Sequence, residues 1–537
     1  MNAVISPNAS IELAEFLIAK GAQVSAISSN RYEPGRSVLS LAIKGGNPKK
    51  VALLLKHGAN VFYTSSGHDA LLDAALSTGV VGNPQLTDLI RLLVAHGVAL
   101  NTASSYNEAA LSILSCSGQF NAVRVLLDAG ADPGKLGWMR LHRALALGSL
   151  EDVREALDHG ADIEQRDGYN RTPFLLAVQT GDIAKAELLL QRGASLHATG
   201  HCGSPNLFFA IENRHSAMFD WLLRHGAGIE QTDEFGKNPL RAAAEHDNSS
   251  AVRALLARGA KLEVEANGET ALAAAVSQDV ITQLLNVGAD PRHLTYECQR
   301  ILVGLGETCE DALLHISKDQ FHSGRSRRFG TSNPERIVEP FWDAMIRSGV
   351  SAYVGAQICN PSNKIRPAWC ASRFGQSLTR LPDGRIVQIA GEHEDSYDAD
   401  FCIYNDVFVY HPNGKIDVFG YPAEVFPPTD FHTATMIGKF IYIIGSLGYS
   451  GTRRFGYTPI CRLNSDTFYI EPLSPSGTLP GWIFGHRAMQ ISAHEIRITG
   501  GMVAIDDGRG ESHIQNDEAF ILDTRNLSFR REKQLAC

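Results

Sequence analysis

Nine Gly-Ala or Gly-Val dipeptides, each closing an apolar, leucine-rich stretch, punctuate the first half of this chain at Gly21, Gly58, Gly97, Gly130, Gly160, Gly193, Gly226, Gly259 and Gly288. From Gly160 to Gly259 the step is 33 residues each time. A fixed period of that length marks a stacked array, in which each short unit buries its apolar face only against its neighbours. Such arrays usually hold other molecules rather than transform them.

The chain has 537 residues, more than one hydrophobic core normally serves, so two or more domains are expected. A formal charge of −9 argues against a general nucleic-acid binder, which needs a basic excess to release counterions from phosphate. The opening MNAVISPNASIELAEF has no Lys or Arg ahead of an apolar run, so no secretory signal is expected, and no apolar stretch predicts a membrane span. The nine cysteines are scattered and form no C-x-x-C, which suggests neither a zinc ribbon nor a disulfide framework. Thiols in a reducing cytoplasm are the expectation, and the location with them.

The clearest repeat runs from Asp167-Gly-Tyr-Asn-Arg-Thr-Pro to Gly193-Ala. Thr172 is placed to cap a helix whose first position is Pro173, where a missing N–H costs nothing. Gly181 stops that helix. A second helix carries Ala186, Leu189 and Leu190 inward, and Gly193 ends it in the left-handed conformation.

This pattern resembles the ankyrin repeat, with Thr-Pro-Leu-His opening one helix and Leu-Leu-x-x-Gly-Ala-Asp closing the next; Asn238-Pro-Leu-Arg-Ala-Ala-Ala and Glu269-Thr-Ala-Leu-Ala-Ala-Ala resemble it again. The resemblance implies a helical solenoid of about nine repeats over residues 8–294. Residues 8–20 supply only a second helix, an insertion falls around Gly79–Pro84, and the last repeat is short, 29 residues from Gly259 to Gly288. It also implies hairpin tips near Asp167–Arg171, Gly200–Ser204, Asp233–Lys237 and Glu265–Gly268, and a concave face of tips and first helices that meets a partner protein. Exposed candidates for that contact are Tyr169, Asn170, Arg171, Asp233, Phe235 and Lys237. His142 sits where the family's helix-opening His bonds backbone.

Residues 295–370 lose the period and read as a helical linking and docking segment. Ile301–Ile316 predicts one or two short helices, and Ser323-Gly-Arg-Ser-Arg-Arg-Phe-Gly330 has the composition of a basic, solvated hinge. Ser332-Asn-Pro-Glu335 predicts a helix start, the helix ending at Gly349 and docking through Phe341, Trp342, Met345 and Ile346.

From residue 371 to 537 the period becomes alternating. Three strand-rich units overlay: Phe374-Gly-Gln-Ser with Gly384–Gly391 and Asn405–Tyr410; Phe431-His-Thr with Gly438–Gly445 and Thr467–Ile470; Gly485-His-Arg with Glu495–Gly501 and Glu518–Asp523. This looks like the kelch repeat of β-propellers, which implies about three blades and a fold class of ankyrin solenoid followed by a partial, kelch-like all-β domain. Propellers close with typically four to eight blades, and an open arc leaves edges unpaired. Residues 350–370 with the C-terminal tail adding a blade, packing against the array, or dimerisation would each solve this; a cover supplied by the middle segment is the favoured solution, dimerisation the next.

Chemistry is sparse. Glu392-His-Glu-Asp395 through Asp398 and Asp400 is the densest acidic cluster, but lacks a calcium-loop spacing. His432 and His486 hold equivalent positions in successive units and read as structural. No nucleophile elbow, His-Glu-x-x-His or phosphate loop occurs. Cys402, Tyr404, His432 and Tyr442 are the residue types of copper enzymes in the galactose-oxidase-like class, yet three blades could scarcely wrap such a centre. No cofactor and no metal is expected. The sequence therefore points to a non-enzymatic interaction scaffold, with a β-domain enzyme or a self-assembling protein as rivals.

Overall fold

The computed structural model describes residues 10–28, 35–64, 67–77, 85–104, 108–262, 269–306, 308–360, 369–393 and 401–532. The chain divides into two compact units, Met1–Ala289 and Asp290–Cys537. The insertion at Gly79–Pro84, the tip at Glu265–Gly268 and the acidic residues from Glu394 to Asp400 lie outside the described residues.

The N-terminal unit begins with α1 (Ile11–Ala19), a second helix without a described first one. Helix pairs follow: α2 (Val38–Lys44) with α3 (Pro48–Lys56), α4 (Ala70–Leu76) with α5 (Leu86–Ala95), and α6 (Ala110–Cys116) with α7 (Phe120–Asp128). The regular pairs are α8 (Arg140–Leu147) with α9 (Leu150–Asp158), α10 (Pro173–Thr180) with α11 (Ile183–Gln191), α12 (Asn206–Glu212) with α13 (Ser216–Arg224), and α14 (Pro239–Glu245) with α15 (Ser249–Leu256). Among its described residues the ninth repeat keeps only its second helix, α16 (Gln278–Asn286). Its Thr270 Oγ1 accepts from Ala273 N at 3.3 Å, which starts a single turn; a repeat four residues shorter than its neighbours has no room for more.

Thr172 Oγ1 accepts from Leu175 N, with Pro173 opening α10 and Gly181 ending it at φ 74°. Leu189, Leu222 and Leu255, spaced by the repeat, are each fully buried, and each such burial is worth about 2–3 kcal/mol. All nine repeat-ending glycines have φ between 75° and 98°, and a Cβ built on any of them meets nothing within 4 Å. Conformation alone, not crowding, demands glycine there. Gly226→Ala is therefore expected to lower stability by about 1–2 kcal/mol without disturbing packing, measurable as a reduced urea midpoint at unchanged m-value.

In the C-terminal unit lie α17 (Tyr296–Leu302), a 3-10 turn at Glu310–Leu313, α18 (Lys318–Gly324), α19 (Pro340–Ser348) and α20 (Ala352–Cys359). The helix expected to start at Ser332–Glu335 starts instead at Pro340; residues 335–337 form strand β1 (Glu335–Ile337). Both prolines look alike in sequence, but Arg336 is drawn to Asp417 at 2.6 Å, and β1 completes a sheet edge. The helix does end at Gly349, φ 69°, and buries Phe341, Trp342, Met345 and Ile346, with Trp342 stacked on Trp369 at 4.5 Å. The basic stretch is no solvated hinge: Arg327 donates to Ile403 O and to Tyr449 Oη, and Gly324 and Gly330 are buried.

The strands form several sheets, antiparallel throughout but for one parallel pair at residues 476–477 and 528–529. In the first, β2 (Ser377–Arg380), β3 (Ile386–Ile389), β6 (Val407–Tyr410), β7 (Ile416–Gly420) and β1 lie in the order β1-β7-β6-β3-β2, with the hairpin β4 (Glu392–His393) and β5 (Cys402–Ile403) beside it. The second is a meander of β8 (Thr433–Ile437), β9 (Phe440–Ile444), β10 (Ile460–Asn464) and β11 (Ile470–Pro472). Here the third strand is β10, not Thr467–Ile470. The latter holds the turn into β11, where Asn464 Oδ1 accepts from Asp466 N and Thr467 N.

Strands β12 (Ser476–Gly477), β14 (Arg487–Gln490), β15 (Glu495–Thr499), β18 (Ala519–Asp523) and β19 (Ser528–Arg531) form a third sheet, ordered β12-β19-β18-β15-β14. A fourth pairs β13 (Trp482–Phe484) with β16 (Met502–Asp506) and β17 (Glu511–Gln515). The outer edges of the first and third sheets are covered by β1 and β12.

One joint recurs between the sheets. Gly375, Phe431 and Gly485 have φ of 61°, 47° and 60°; Phe431 N donates to Gly375 O at 2.7 Å, and Gly485 N to Phe431 O at 2.8 Å. Beside them His432 Nε2 is bonded to Ser377 Oγ at 2.7 Å, and His486 Nε2 to Thr433 Oγ1 at 2.8 Å. Burial pushes both imidazoles down to about 3, so they are neutral braces, as their matching positions suggest. The next joint is built from side chains of the segment preceding the strands. Arg292 Nη1 donates to Gly485 O at 2.7 Å, Arg487 Nε donates to Asp290 Oδ2 at 2.8 Å, and Gln376 Nε2 donates to Gln299 Oε1. Residues 290–299 thus meet β14 and the residue entering β2, the end strands of the third and the first sheet.

Candidate partner-binding site

Three tips of the array close on one backbone bond, the middle one winding through a left-handed Cys202 at φ 52°. Asp167 N donates to Arg171 O, Gly200 N to Ser204 O and Asp233 N to Lys237 O, at 3.0, 2.8 and 3.1 Å. In the outer two, aspartate holds the turn from within: Asp167 Oδ1 accepts from Tyr169 N and Arg171 N, and Asp233 Oδ1 from Phe235 N and Lys237 N, at 2.9–3.0 Å. This is the Asx geometry that a short acidic side chain supplies to its own backbone. Neighbouring tips touch through Glu234 N, which donates to Cys202 O at 2.9 Å.

The six sequence candidates fare differently. Arg171 was expected at the surface and is only 2% exposed. Its guanidinium donates to Asp167 Oδ2, to Gln179 Oε1 at 2.6 Å, and to Ser115 O at 2.7 Å and Oγ at 2.8 Å, while Gln179 Nε2 reaches Cys116 O at 2.7 Å. Those carbonyls end α6, so a cation and an amide satisfy the open, partly negative end of that helix. Tyr169 is half-buried, lies under the Arg171 guanidinium at 5.3 Å and packs on the core of the preceding repeats. Both residues therefore tie distant repeats together.

Asp233 shapes its turn, and Lys237 pairs with Glu245 at 3.2 Å and lies over the Phe208 ring. Asn170 is exposed at φ 60°, its Nδ2 donating to Gly200 O at 3.4 Å, and Phe235 is 62% exposed. His142 is fully buried, accepting from Met139 N and donating to Gln165 O at 2.9 Å, so it fixes backbone.

One group escaped the sequence reading. The residue closing each turn is Arg171, Ser204 or Lys237, and the residue eight further on is Gln179, Glu212 or Glu245. In the outer repeats these pairs touch. In the middle one Ser204 is too short, and the only ion-pair contact of Glu212 among the described residues is with His246 Nε2 at 3.8 Å, while Lys237 and Glu245 act on it from further off. Burial depresses that imidazole's pKa, which favours its neutral form. The Glu212 side chain keeps 37% exposure, yet burial pushes its carboxyl up to about 7, against the pull of Lys237. Aligning the tips by the 33-residue step would have exposed this mismatch.

In the C-terminal unit, Glu392 and His393 are buried in β4. Asp430 is fully buried, accepts from Gly448 N at 2.6 Å and from Ser446 Oγ, and burial raises its pKa. Arg373, 1% exposed at its side chain, pairs with Asp406 and lies over the rings of Tyr404, Phe408 and Trp369 at 3.5, 4.8 and 5.2 Å. Tyr404 and His432, considered as copper ligands, are engaged with Arg373 and with Ser377. Among the described residues no group of three or more His, Cys, Asp or Glu is arranged to hold a metal ion, and no helix is long and apolar enough to cross a membrane.

Residues 207–294 match the family model for ankyrin repeats, in three copies. The chain is 32% identical over 149 residues to the B-cell lymphoma 3 protein homolog of Mus musculus, covering 26% of this chain and 33% of that protein. It is 31% identical over 132 residues to the mouse protein fem-1 homolog A-like, covering 21% and 20%. It is 28% identical over 124 residues to the transient receptor potential cation channel subfamily A member 1 homolog of Caenorhabditis elegans, covering 22% and 10%. The chain thus spans a third or less of the length of these relatives.

Proposed function

We propose that this chain is a non-enzymatic, cytoplasmic interaction scaffold whose array, residues 8–294, grips a partner protein on its concave face. Ankyrin repeats are general protein–protein interaction modules, and both regions are organised as surfaces. The observation that carries the reading is Phe235, a large apolar side chain 62% exposed on a turn clamped by Asp233 and braced by the neighbouring tip. A rigid exposed aromatic is the usual anchor of an interface. Asn170 on the preceding outer tip supplies an adaptable polar contact. The sheets of residues 371–537, read as a kelch-like domain behind a docking segment 295–370, offer a second binding surface.

Affinity capture with the full tagged chain should retain a defined set of proteins that Phe235→Ala loses by about tenfold or more, equivalent to roughly 1.4 kcal/mol of a hot spot. Capture unchanged by Phe235→Ala and by Asn170→Ala together would overturn the concave-face reading.

A further inference from the structure

We infer that the array selects a cationic side chain, an arginine or lysine of an extended peptide segment, which docks between Ser204 and Glu212 and makes the contact that this repeat lacks. The inference rests on the concave-face reading above and specifies the partner's chemistry.

The argument is one of broken register. Tips 167–171, 200–204 and 233–237 share one backbone bond at 33-residue steps, so Ser204 stands where Arg171 and Lys237 stand. Arg171 reaches Gln179 at 2.6 Å and Lys237 reaches Glu245 at 3.2 Å, each from a tip to the end of its own first helix. Ser204 is too short to make that contact with Glu212, the same position on α12. Glu245 is already held by Lys237 and Arg241, and Arg241 also pairs with Glu269. Glu212, drawn on by Lys237 but in contact with no lysine or arginine among the described residues, is therefore the carboxylate without a cationic partner of its own in a mixed-charge row, and a guanidinium or ammonium from outside would complete it. A charge-assisted bond in a partly desolvated groove is worth more than one at an open surface. Phe235, on the tip that touches Cys202, gives an apolar neighbour for the residue flanking the cation.

The pH response follows from the same groups. The Glu212 carboxyl, pushed up to about 7, must be ionised to hold a cation, so affinity rises with pH across that value. Of its neighbours, burial holds His246 down and the Cys116 thiol up, so neither carries charge there, while Lys237 and Glu245 are paired with each other.

The test is an immobilised set of synthetic peptides about a dozen residues long, with apolar flanks and a central Arg, Lys, citrulline or Glu, probed with the full-length chain. The peptides it retains are then measured by fluorescence anisotropy. Expected are binding of Arg and Lys peptides, citrulline and Glu versions about tenfold weaker or worse, and a similar loss in Glu212→Gln and in Ser204→Lys, which supplies the cation in cis. Affinity should increase from pH 6 to pH 8 in the parent but not in Glu212→Gln. Thermal unfolding matched to the parent certifies that the variants fold. Equal binding of citrulline peptides, or parent-like binding by Glu212→Gln or Ser204→Lys, overturns the inference. If Phe235→Ala weakens binding while Glu212→Gln does not, the concave-face reading survives and the cation site falls; retention of no peptide counts against both.

Discussion

Asp406→Ala should destabilise the C-terminal unit by about 3–5 kcal/mol, because it strands the Arg373 guanidinium at 1% exposure with no counter-charge. Burial opposes that charge, and the Asp406 carboxylate more than restores it. Three aromatic rings enclose the cation, and its Nε donates to Cys370 O at 2.9 Å, so the arginine cannot turn toward water without unpacking Trp369 and Tyr404. Urea unfolding of the full chain, followed by tryptophan fluorescence, reads the effect where Trp342 stacks on Trp369. The double variant Arg373→Met/Asp406→Leu removes both charges and should recover most of the loss. A cost below about 1 kcal/mol for the single variant would show instead that water reaches the pair.

Arg171→Met carries the second large effect, again about 3–5 kcal/mol, through a different mechanism. It leaves the fully buried Asp167 carboxylate unpaired and exposes Ser115 O at the end of α6 without a donor. The damage should therefore appear in two places 56 residues apart in sequence. Hydrogen exchange ought to quicken in the 167–171 turn and at the end of α6 together, with the melting temperature of the array lowered. Exchange that quickens in the turn alone would mean the long-range bond contributes little.

These two arginines show where the sequence was readable. Thr172, Pro173 and the repeat-ending glycines act through residues within four positions of themselves, so period and caps disclose the helices. Arg171 differs: its turn was legible, but its partners on α6 are not its sequence neighbours, and an arginine on a hairpin tip looks solvent-facing until they are known. The same holds at residue 335. Ser-Asn-Pro-Glu and Glu339-Pro340 both look like helix starts, and only the edge of β7, some eighty residues on, decides between them. For the candidate site, Phe235 and Asp233 could be named from the turn alone. Glu212 is defined by what Ser204 fails to supply, a signal carried by comparison between repeats and not by either residue.

The joint made by residues 290–299 bears on self-association. Asp290, Arg292 and Gln299 already occupy the contacts that a further sheet would make with β14 and β2, and the two arginines hold the Asp290 carboxyl down at about 2. A second copy of the chain seeking those ends would compete with a tethered resident whose effective concentration is on the order of millimolar. Any intermolecular pairing at those ends has first to evict that resident.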